Sequence, residues 1–347
     1  MIRIMVETSP GETRVALLDG NLLQDFALWR PGQPDGVGDI HRARIIAHVP
    51  AMAGAFVSLP GLGGGDGFLP DSDGASIAPE GSLVAVRIVR AGQGGKGPRL
   101  AIASDTSAQG DPGLIARGPS PLEELIATYP LAPVLQRPFE PGLADQIAAL
   151  AEPEITLPAG MRASIHPTPA LVAIDLDMAS ATATRQPKAS AQMAANIAAL
   201  PALARQIRLR NLSGAIFIDP AGLGLKRRPK LATALTAALA TDPLQPRLLG
   251  FTVLGLAEIV RRRVRPPLHE LLAGPHAAGL AALREIDRET AATPYLALGL
   301  TCSADIAAAL ARDPVALTDL AGRTGRPLIP RTDPSLPSCA WRIERPN

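Results

Sequence analysis

Short runs in which apolar and polar residues alternate open the chain. Ile2-Arg-Ile-Met-Val6 and Thr13-Arg-Val-Ala-Leu-Leu18 lie either side of Pro10-Gly11, which predicts two strands around a turn. A Gly/Pro/Asp segment from Pro31 to Gly38 marks a boundary. Beyond it Ala43 to Val49, Gly54 to Leu59, Asp66 to Leu69 and Ser82 to Val89 read as short strands set off by glycines, the pitch of a small barrel. From Ser104 to Gln136 the pattern turns loop-rich, with one helical piece near Leu122 to Ala127. Periodicity resumes at Leu143 to Leu150 and Leu157 to Gly160. It peaks in two dense runs, Leu171-Val-Ala-Ile-Asp175-Leu-Asp177 and Gly214-Ala-Ile-Phe-Ile-Asp219, which predict interior strands. The segment between them reads as an amphipathic helix ending in Ala204-Arg205-Gln-Ile-Arg208-Leu-Arg210, and Pro201 predicts that it is shortened or kinked. Pro266-Pro267 begins a break. After it come a helical piece at Ala281 to Ile286, a strand at Tyr295 to Leu300 and a helix at Ser303 to Ala311.

The chemistry suggested by this pattern sits at the tips of the two dense runs. A carboxylate at the end of a buried strand leaves water cheaply only when it is paired or bound to a metal. Hard oxygen donors with no His or Cys nearby suit magnesium or manganese rather than zinc. The helix between the runs would bring arginines beside the acids, the pairing a phosphodiester substrate requires.

Composition adds little to that picture. The 347 residues suffice for two or three compact units, and an apolar fraction of 47% supports a real core. A formal charge of +2 does not by itself announce a nucleic-acid binder. The basic residues are nevertheless clustered: Arg205, Arg208 and Arg210; Lys226, Arg227, Arg228 and Lys230; Arg261, Arg262, Arg263 and Arg265. A solvated loop or helix face explains the Lys226 group as well as binding does. Cys302 and Cys339 lie far apart in a chain with no secretory signal, which predicts buried or inert thiols in a reducing cytoplasm. No apolar run approaches the length of a membrane span. The five histidines show no metal-ligand spacing.

The order of three elements carries a resemblance. Ala173-Ile-Asp175-Leu-Asp177, then Ala204-Arg-Gln-Ile-Arg-Leu-Arg-Asn-Leu212 running into Gly214 to Asp219, then Leu254-Gly-Leu-Ala-Glu-Ile-Val-Arg261-Arg-Arg263, is similar to the catalytic half of the ribonuclease E/G family. The segment from Val37-Gly-Asp-Ile40 through Pro50-Ala-Met-Ala-Gly-Ala-Phe-Val57 and Asp66-Gly-Phe-Leu69 to Gly95-Lys-Gly-Pro-Arg-Leu100 resembles the RNA-binding OB barrel that this family inserts into its first domain. Such barrels stack bases on aromatic rings over a basic groove. Residues beyond 280 resemble the family's small C-terminal domain.

The resemblance implies an α/β (α+β) multi-subdomain chain. Residues 1–35 would begin a ribonuclease-H-like subdomain and 36–103 form an OB (S1-like) β-barrel. A shortened sensor remnant and linker would occupy 104–145, a deoxyribonuclease-like metal-binding catalytic subdomain 146–270, and a small C-terminal α/β domain 271–347. It implies that Asp175 and Asp219 hold Mg2+, or Mn2+, with Asp177 as an added or outer ligand. Phe56, Phe68 and Lys96 match the barrel's RNA-binding residues, and Arg208 and Arg210 are candidate phosphate clamps. A packed barrel core is the competing account of the two rings, and fold-bracing ion pairs that of the two arginines. The family's Cys-Pro-x-Cys zinc link has no counterpart, so no zinc is expected and any homo-oligomer would form without it. The Arg-Thr pair of the family's 5′-end sensor is also missing. Other departures touch the site itself. Asp177 stands where the family has Asn, Pro220-Ala-Gly-Leu where it reads Phe-Ile-Asp-Met, and Ala198 where it has a glutamate. The implied activity is cytoplasmic, metal-dependent cleavage of single-stranded RNA to 5′-phosphate and 3′-hydroxyl ends. The rival reading is an RNA-binding protein that kept the fold and lost efficient chemistry, and a weaker third is an assembly factor with no RNA contact.

Overall fold

The alternating runs between Ile40 and Ile102 close on themselves. In the computed structural model, which describes residues 1–60, 65–178 and 188–345, the strands Gly54–Ser58, Asp66–Pro70, Arg99–Ile102, Leu83–Arg90 and Ile40–Val49 pair in that order. The last then pairs with the first, giving a closed barrel of five strands. Its inward positions are the apolar half of each alternation: Ile45, Val57, Leu59, Leu69, Val86, Ile88 and Leu100 are buried together. Register shifts between Ile45 and Ala47 and between Ile88 and Arg90 supply the bends that closure needs. Gly67 faces inward, where a Cβ would lie 2.6 Å from Leu100 and 2.9 Å from Leu59, so only glycine lets the wall come this close. The strand Gly113–Ala116, within the stretch read as loop-rich, pairs onto the outside of Ile40–Val49.

By internal packing the chain divides into two units: Met1–Leu22, Ala27–Phe139 and Val264–Asn347 make the first, and Leu23–Phe26 with Glu140–Arg263 the second. In the first, the predicted N-terminal strands pair as Ile2–Ser9 with Glu12–Asp19, and Val134–Gln136 runs parallel to Ile2–Ser9. A three-stranded sheet near the C-terminus, ordered Arg331–Thr332, Gly299–Cys302, Trp341–Glu344, packs with the helices Gly274–Ala292, Ala304–Ala311 and Pro314–Thr324. The strand expected from Tyr295 begins only at Gly299. Glu12 ties these parts together, because Arg14, Arg30 and Arg284 reach its buried carboxylate at 3.0, 3.0 and 2.7 Å. Burial pushes that carboxyl up, but the three guanidinium groups outweigh it, Arg284 foremost, and hold Glu12 below the usual carboxylate range.

The second unit is a six-stranded mixed sheet in the order Glu154–Leu157, Met161–Pro167, Leu171–Met178, Gly214–Asp219, Ala257–Arg261, Arg247–Phe251. The helices Lys188–Leu209 and Ala232–Leu239 bury one face of it against Ile165, Val172, Ile174, Ile216, Ile218 and Ile259. Helix Lys188–Leu209 runs its full 22 residues through Pro201. The shortening expected there does not occur. Leu200, Leu203 and Ile207 are buried in the sheet's core and hold the turns either side of the proline in place. Overall the chain is a mixed α/β architecture with several sheets and a closed barrel, consistent with the α+β class. Among the described residues no helix is long and apolar enough to cross a membrane.

A half-buried acid gives the second unit a pH signature. Burial pushes the Asp25 carboxyl up to about 6, against the opposing pull of Arg208, the Phe26 N–H and Arg261, and the like charge of Asp242 adds to the rise. A carboxyl raised in the folded state is a group the fold prefers protonated. The stability it confers is present in acid and lost as pH rises through the window from about 4 to about 6, by roughly 2 to 3 kcal/mol before screening trims it. Asp25→Asn is expected to remove that loss, so that urea midpoints at pH 4 and pH 7 draw closer. An unchanged difference between the two would show that Asp25 titrates normally.

Candidate active site

Leu171–Met178 and Gly214–Asp219 lie parallel and adjacent, joined through the long helix, so their C-terminal ends emerge side by side. In such an arrangement the strand ends form the natural place for a ligand. The register sets Asp175 directly opposite Asp219. Because side chains alternate, Val172, Ile174 and Leu176 enter the core while Asp175 and Asp177 stand on the other face. Ile216 and Ile218 do the same for Asp219. Arg162 and Ser164 line the neighbouring strand opposite Asp177 and Asp175. The face turned away from the helices is therefore polar and carries the predicted acids.

The pair is electrostatically tense. Partial burial, then the charges of Asp219, Asp177 and Glu154, raise the Asp175 carboxyl above its usual range, against the opposing pull of His166. Asp177 adds to this field but does not complete a cage: its Oδ1 accepts the N–H of Met178 at 2.7 Å. Among the described residues no three His, Cys, Asp or Glu side chains stand close enough together to hold a metal. The structure thus brings Asp175 and Asp219 together and leaves Asp177 as a neighbour. Two carboxylates fit one class of cation, since magnesium keeps several waters and takes one or two carboxylates plus substrate phosphate oxygens. An oxygen of Asp219 supports that fit, because Oδ1 is buried and receives no aligned hydrogen bond.

The nearest group to that oxygen is Arg228, whose Nη1 lies 2.7 Å away. The short distance and the missing hydrogen bond are both real, because the N–H groups point elsewhere. Nε donates to the carbonyl of Leu223 at 2.9 Å, and Nη1 to those of Gly255 at 3.2 Å and Leu254 at 3.4 Å. The contact with Asp219 is charge against charge without direction. A second unforeseen residue, Asn196, is fully buried in the long helix. Its Nδ2 donates to the carbonyl of Ala221 at 3.0 Å and its Oδ1 accepts the N–H of Ala221 at 3.1 Å, fixing the chain just beyond Asp219. An amide one turn after Gln192 in an alanine-rich stretch of the helix was the available signal.

Other arginines of the clusters are spent on the fold. Arg210 donates to Gln206 and to the carbonyls of Glu152 and Ala149, and Arg208 to the carbonyl of Thr241 and to Gln24. These bonds brace the second unit. Of the group read as a solvated loop, Lys226, Arg227 and Lys230 are exposed while Arg228 turns inward.

On the barrel, Phe56 and Phe68 are register partners whose rings meet edge to face at 5.7 Å and 67°. Both are half-buried, and the barrel core does not include them. Phe68 is in register with Arg99, and Arg99 with Arg90, so one outward rung runs from aromatic to basic. Arg99 is paired to Asp73 at 2.8 Å. Lys96 stands exposed in the turn that leads into the same strand, next to its bridge partner Gln93.

The first unit thus carries an aromatic rung on its barrel, and the second a pair of aspartates at the tips of adjacent parallel strands. Residues 126–264 match the model of the Ribonuclease E/G family. The resemblance read from the motifs is thereby shown over the segment that carries Asp175 and Asp219. The chain is 33% identical to Ribonuclease E of Synechocystis sp. over 141 residues, 40% of this chain and 21% of the relative. It is 31% identical to Ribonuclease E of Nostoc sp. over 142 residues, 40% and 20% of the two chains. To Ribonuclease G of Escherichia coli it is 31% identical over 129 residues, 37% and 26% of the two chains. The matched stretch thus spans about a fifth to a quarter of these relatives.

Proposed function

We propose that this protein is a metal-dependent endoribonuclease that cuts single-stranded RNA, leaving 5′-phosphate and 3′-hydroxyl ends. The observation that carries the proposal is the in-register pair Asp175 and Asp219, one of whose oxygens is buried without an aligned donor, in the segment matching the Ribonuclease E/G family. The names of the relatives support RNA as the substrate. Asp175 and Asp219 would hold the cation, of the magnesium or manganese kind, and Asp177 would deepen the negative field that draws it in. When bound, such a cation supplies Lewis-acid activation of water and offsets charge growing on the scissile phosphate. Asn196 keeps the backbone after Asp219 from shifting, which fixes where that carboxylate ends. The barrel takes the OB (S1-like) role in this reading. Phe56 and Phe68 offer faces to unstacked bases and Lys96 a charge to the backbone, while the N-terminal sheet that holds Ile2–Ser9 and the six-stranded sheet of the second unit take the ribonuclease-H-like and deoxyribonuclease-like roles. We place the activity in the cytoplasm.

The test is cleavage of an unstructured RNA by purified protein with magnesium and with EDTA. Cutting is expected with the metal and not with the chelator, and Phe56→Ala or Phe68→Ala is expected to weaken RNA binding by about 1–3 kcal/mol per lost stack. Among the described residues no third acid joins the pair closely enough to complete a metal-holding group, and Pro220 follows Asp219 where the resembled family carries the sequence leading to another acid. That observation favours the rival, a binding protein with lost chemistry. Metal-independent silence at high protein concentration, with RNA binding intact, would decide for it.

A further inference from the structure

We infer that Arg228 is the resident counter-cation of the Asp175–Asp219 pair, and that its charge sets how tightly the pair takes a divalent cation. The inference rests on the metal reading proposed above and adds a residue that the motifs did not mark.

The seat of Arg228 is built rather than incidental. Its side chain is 15% exposed against 45% for Asp219, so the cation is the more deeply held partner. Three carbonyls receive its N–H groups, and two of them, Leu254 and Gly255, belong to a turn that is itself closed. Thr252 donates to the carbonyl of Leu256 at 2.9 Å, Gly255 donates to that of Thr252 at 2.8 Å, and the N–H of Leu256 reaches the Thr252 hydroxyl at 3.1 Å. Gly255 has φ +84°, and a Cβ there would stand 2.6 Å from the Arg228 Cδ and 3.2 Å from Nη1. The glycine of the Leu254-Gly255-Leu256 motif is therefore what admits the guanidinium.

The direction of the bonds decides what the seat does. Were Arg228 a plain structural partner of Asp219, its N–H groups would align on the carboxylate. They align on carbonyls instead, and Nη1 meets Oδ1 as charge alone. A second cation can then take Oδ1 without breaking a directed hydrogen bond, but it does so against a fixed positive charge one contact away. Two carboxylates and one guanidinium leave a net charge of −1 where −2 would otherwise face the metal. The guanidinium keeps the two acids from repelling one another before metal arrives, and weakens the grip once it does.

Direct Mn2+ binding tests this by the electron paramagnetic resonance of free Mn2+, alongside melting temperatures in EDTA and in excess Mn2+. Arg228→Gln is expected to bind Mn2+ about tenfold more tightly than the parent, since an unscreened like charge near a ligand is removed. It is also expected to melt lower than the parent in EDTA and to recover most of that deficit with Mn2+. A merely structural arginine would lower both melting temperatures alike and leave the affinity unmoved, which would overturn the inference. If Arg228→Gln does not fold, Arg228→Lys serves, because an ammonium cannot satisfy the three carbonyls in the same way and is no longer pinned at Oδ1. It should tighten binding by a smaller factor, about threefold, and an unchanged affinity would count against the inference equally. Should the parent and both variants all fail to bind Mn2+, the metal reading itself is overturned and the counter-cation role with it. Binding by the parent without tightening in the variants sinks the Arg228 role alone.

Discussion

Replacing Asp219 by asparagine is expected to lower the rate of RNA cleavage by two or more orders of magnitude while RNA affinity stays within about threefold. Asparagine keeps the shape of the side chain and one oxygen in place, but removes the charge that makes that oxygen a ligand for a hard cation. Losing a ligand of this kind takes away stabilisation realised in the transition state, so the loss falls on kcat and kcat/KM together. Stability should change little, because Asp219 is 45% exposed and its contact with Arg228 is undirected. Asp175→Asn should behave alike, being the register partner of Asp219. Single-turnover cleavage and equilibrium binding, measured on the same RNA, separate the two effects. Near-normal turnover in either mutant would remove that residue from the site.

Replacing Arg261 by alanine is expected to cost about 3–5 kcal/mol of stability, the largest effect on folding foreseen for any single arginine here. Its side chain is 3% exposed and faces Asp242 at 5%, with Nε at 2.7 Å and Nη2 at 3.3 Å from the two carboxylate oxygens. Nη1 also donates to Asn211 at 2.7 Å and to the carbonyl of Leu212 at 3.1 Å. Truncation would leave a buried carboxylate with no counter-charge, together with an orphaned carbonyl at the end of the long helix. The cost comes from what is left behind more than from the bond lost. Arg261→Met combined with Asp242→Leu should recover much of it, since the pair can be exchanged for apolar packing of similar volume. Urea denaturation gives the comparison. A loss under 1 kcal/mol for Arg261→Ala would mean that water reaches the pair.

Both effects trace to residues whose types were visible from the start, yet only the first role could be assigned from the chain alone. Val172, Ile174 and Leu176 alternate with Ala173, Asp175 and Asp177, and this two-residue period already determined that the acids stand opposite the core. The same local rule laid out the barrel strands; it was the structure that put Phe56 and Phe68 outside the core, flanked by inward residues such as Ala55, Val57 and Leu69. Periodicity of this kind is a property of neighbours a few positions apart, and sequence holds it directly.

The arginines obey no such rule. From the sequence Arg208 and Arg210 are candidate phosphate clamps, Arg228 sits in a cluster that a solvated loop explains equally well, and Arg261 lies in a family-like motif; the fold gives Arg208 and Arg210 bracing hydrogen bonds, Arg261 a buried ion pair and Arg228 a seat beside Asp219. A guanidinium on a long flexible stem finds its acceptors among backbone carbonyls, and those are placed only once distant segments have packed. Leu254 and Gly255 lie 26 and 27 residues from Arg228 along the chain, and Asn196 reaches Ala221 across 25. The helix through Pro201 shows the same precedence, because packing against the sheet outweighed a local propensity to break. The sequence by itself thus determined the barrel strands and which face carries the acids, while it left open whether Phe56 and Phe68 fill the barrel core. Tertiary structure alone decided which charges meet those acids, because polar partners are chosen by proximity in space and a carbonyl leaves no mark in the sequence.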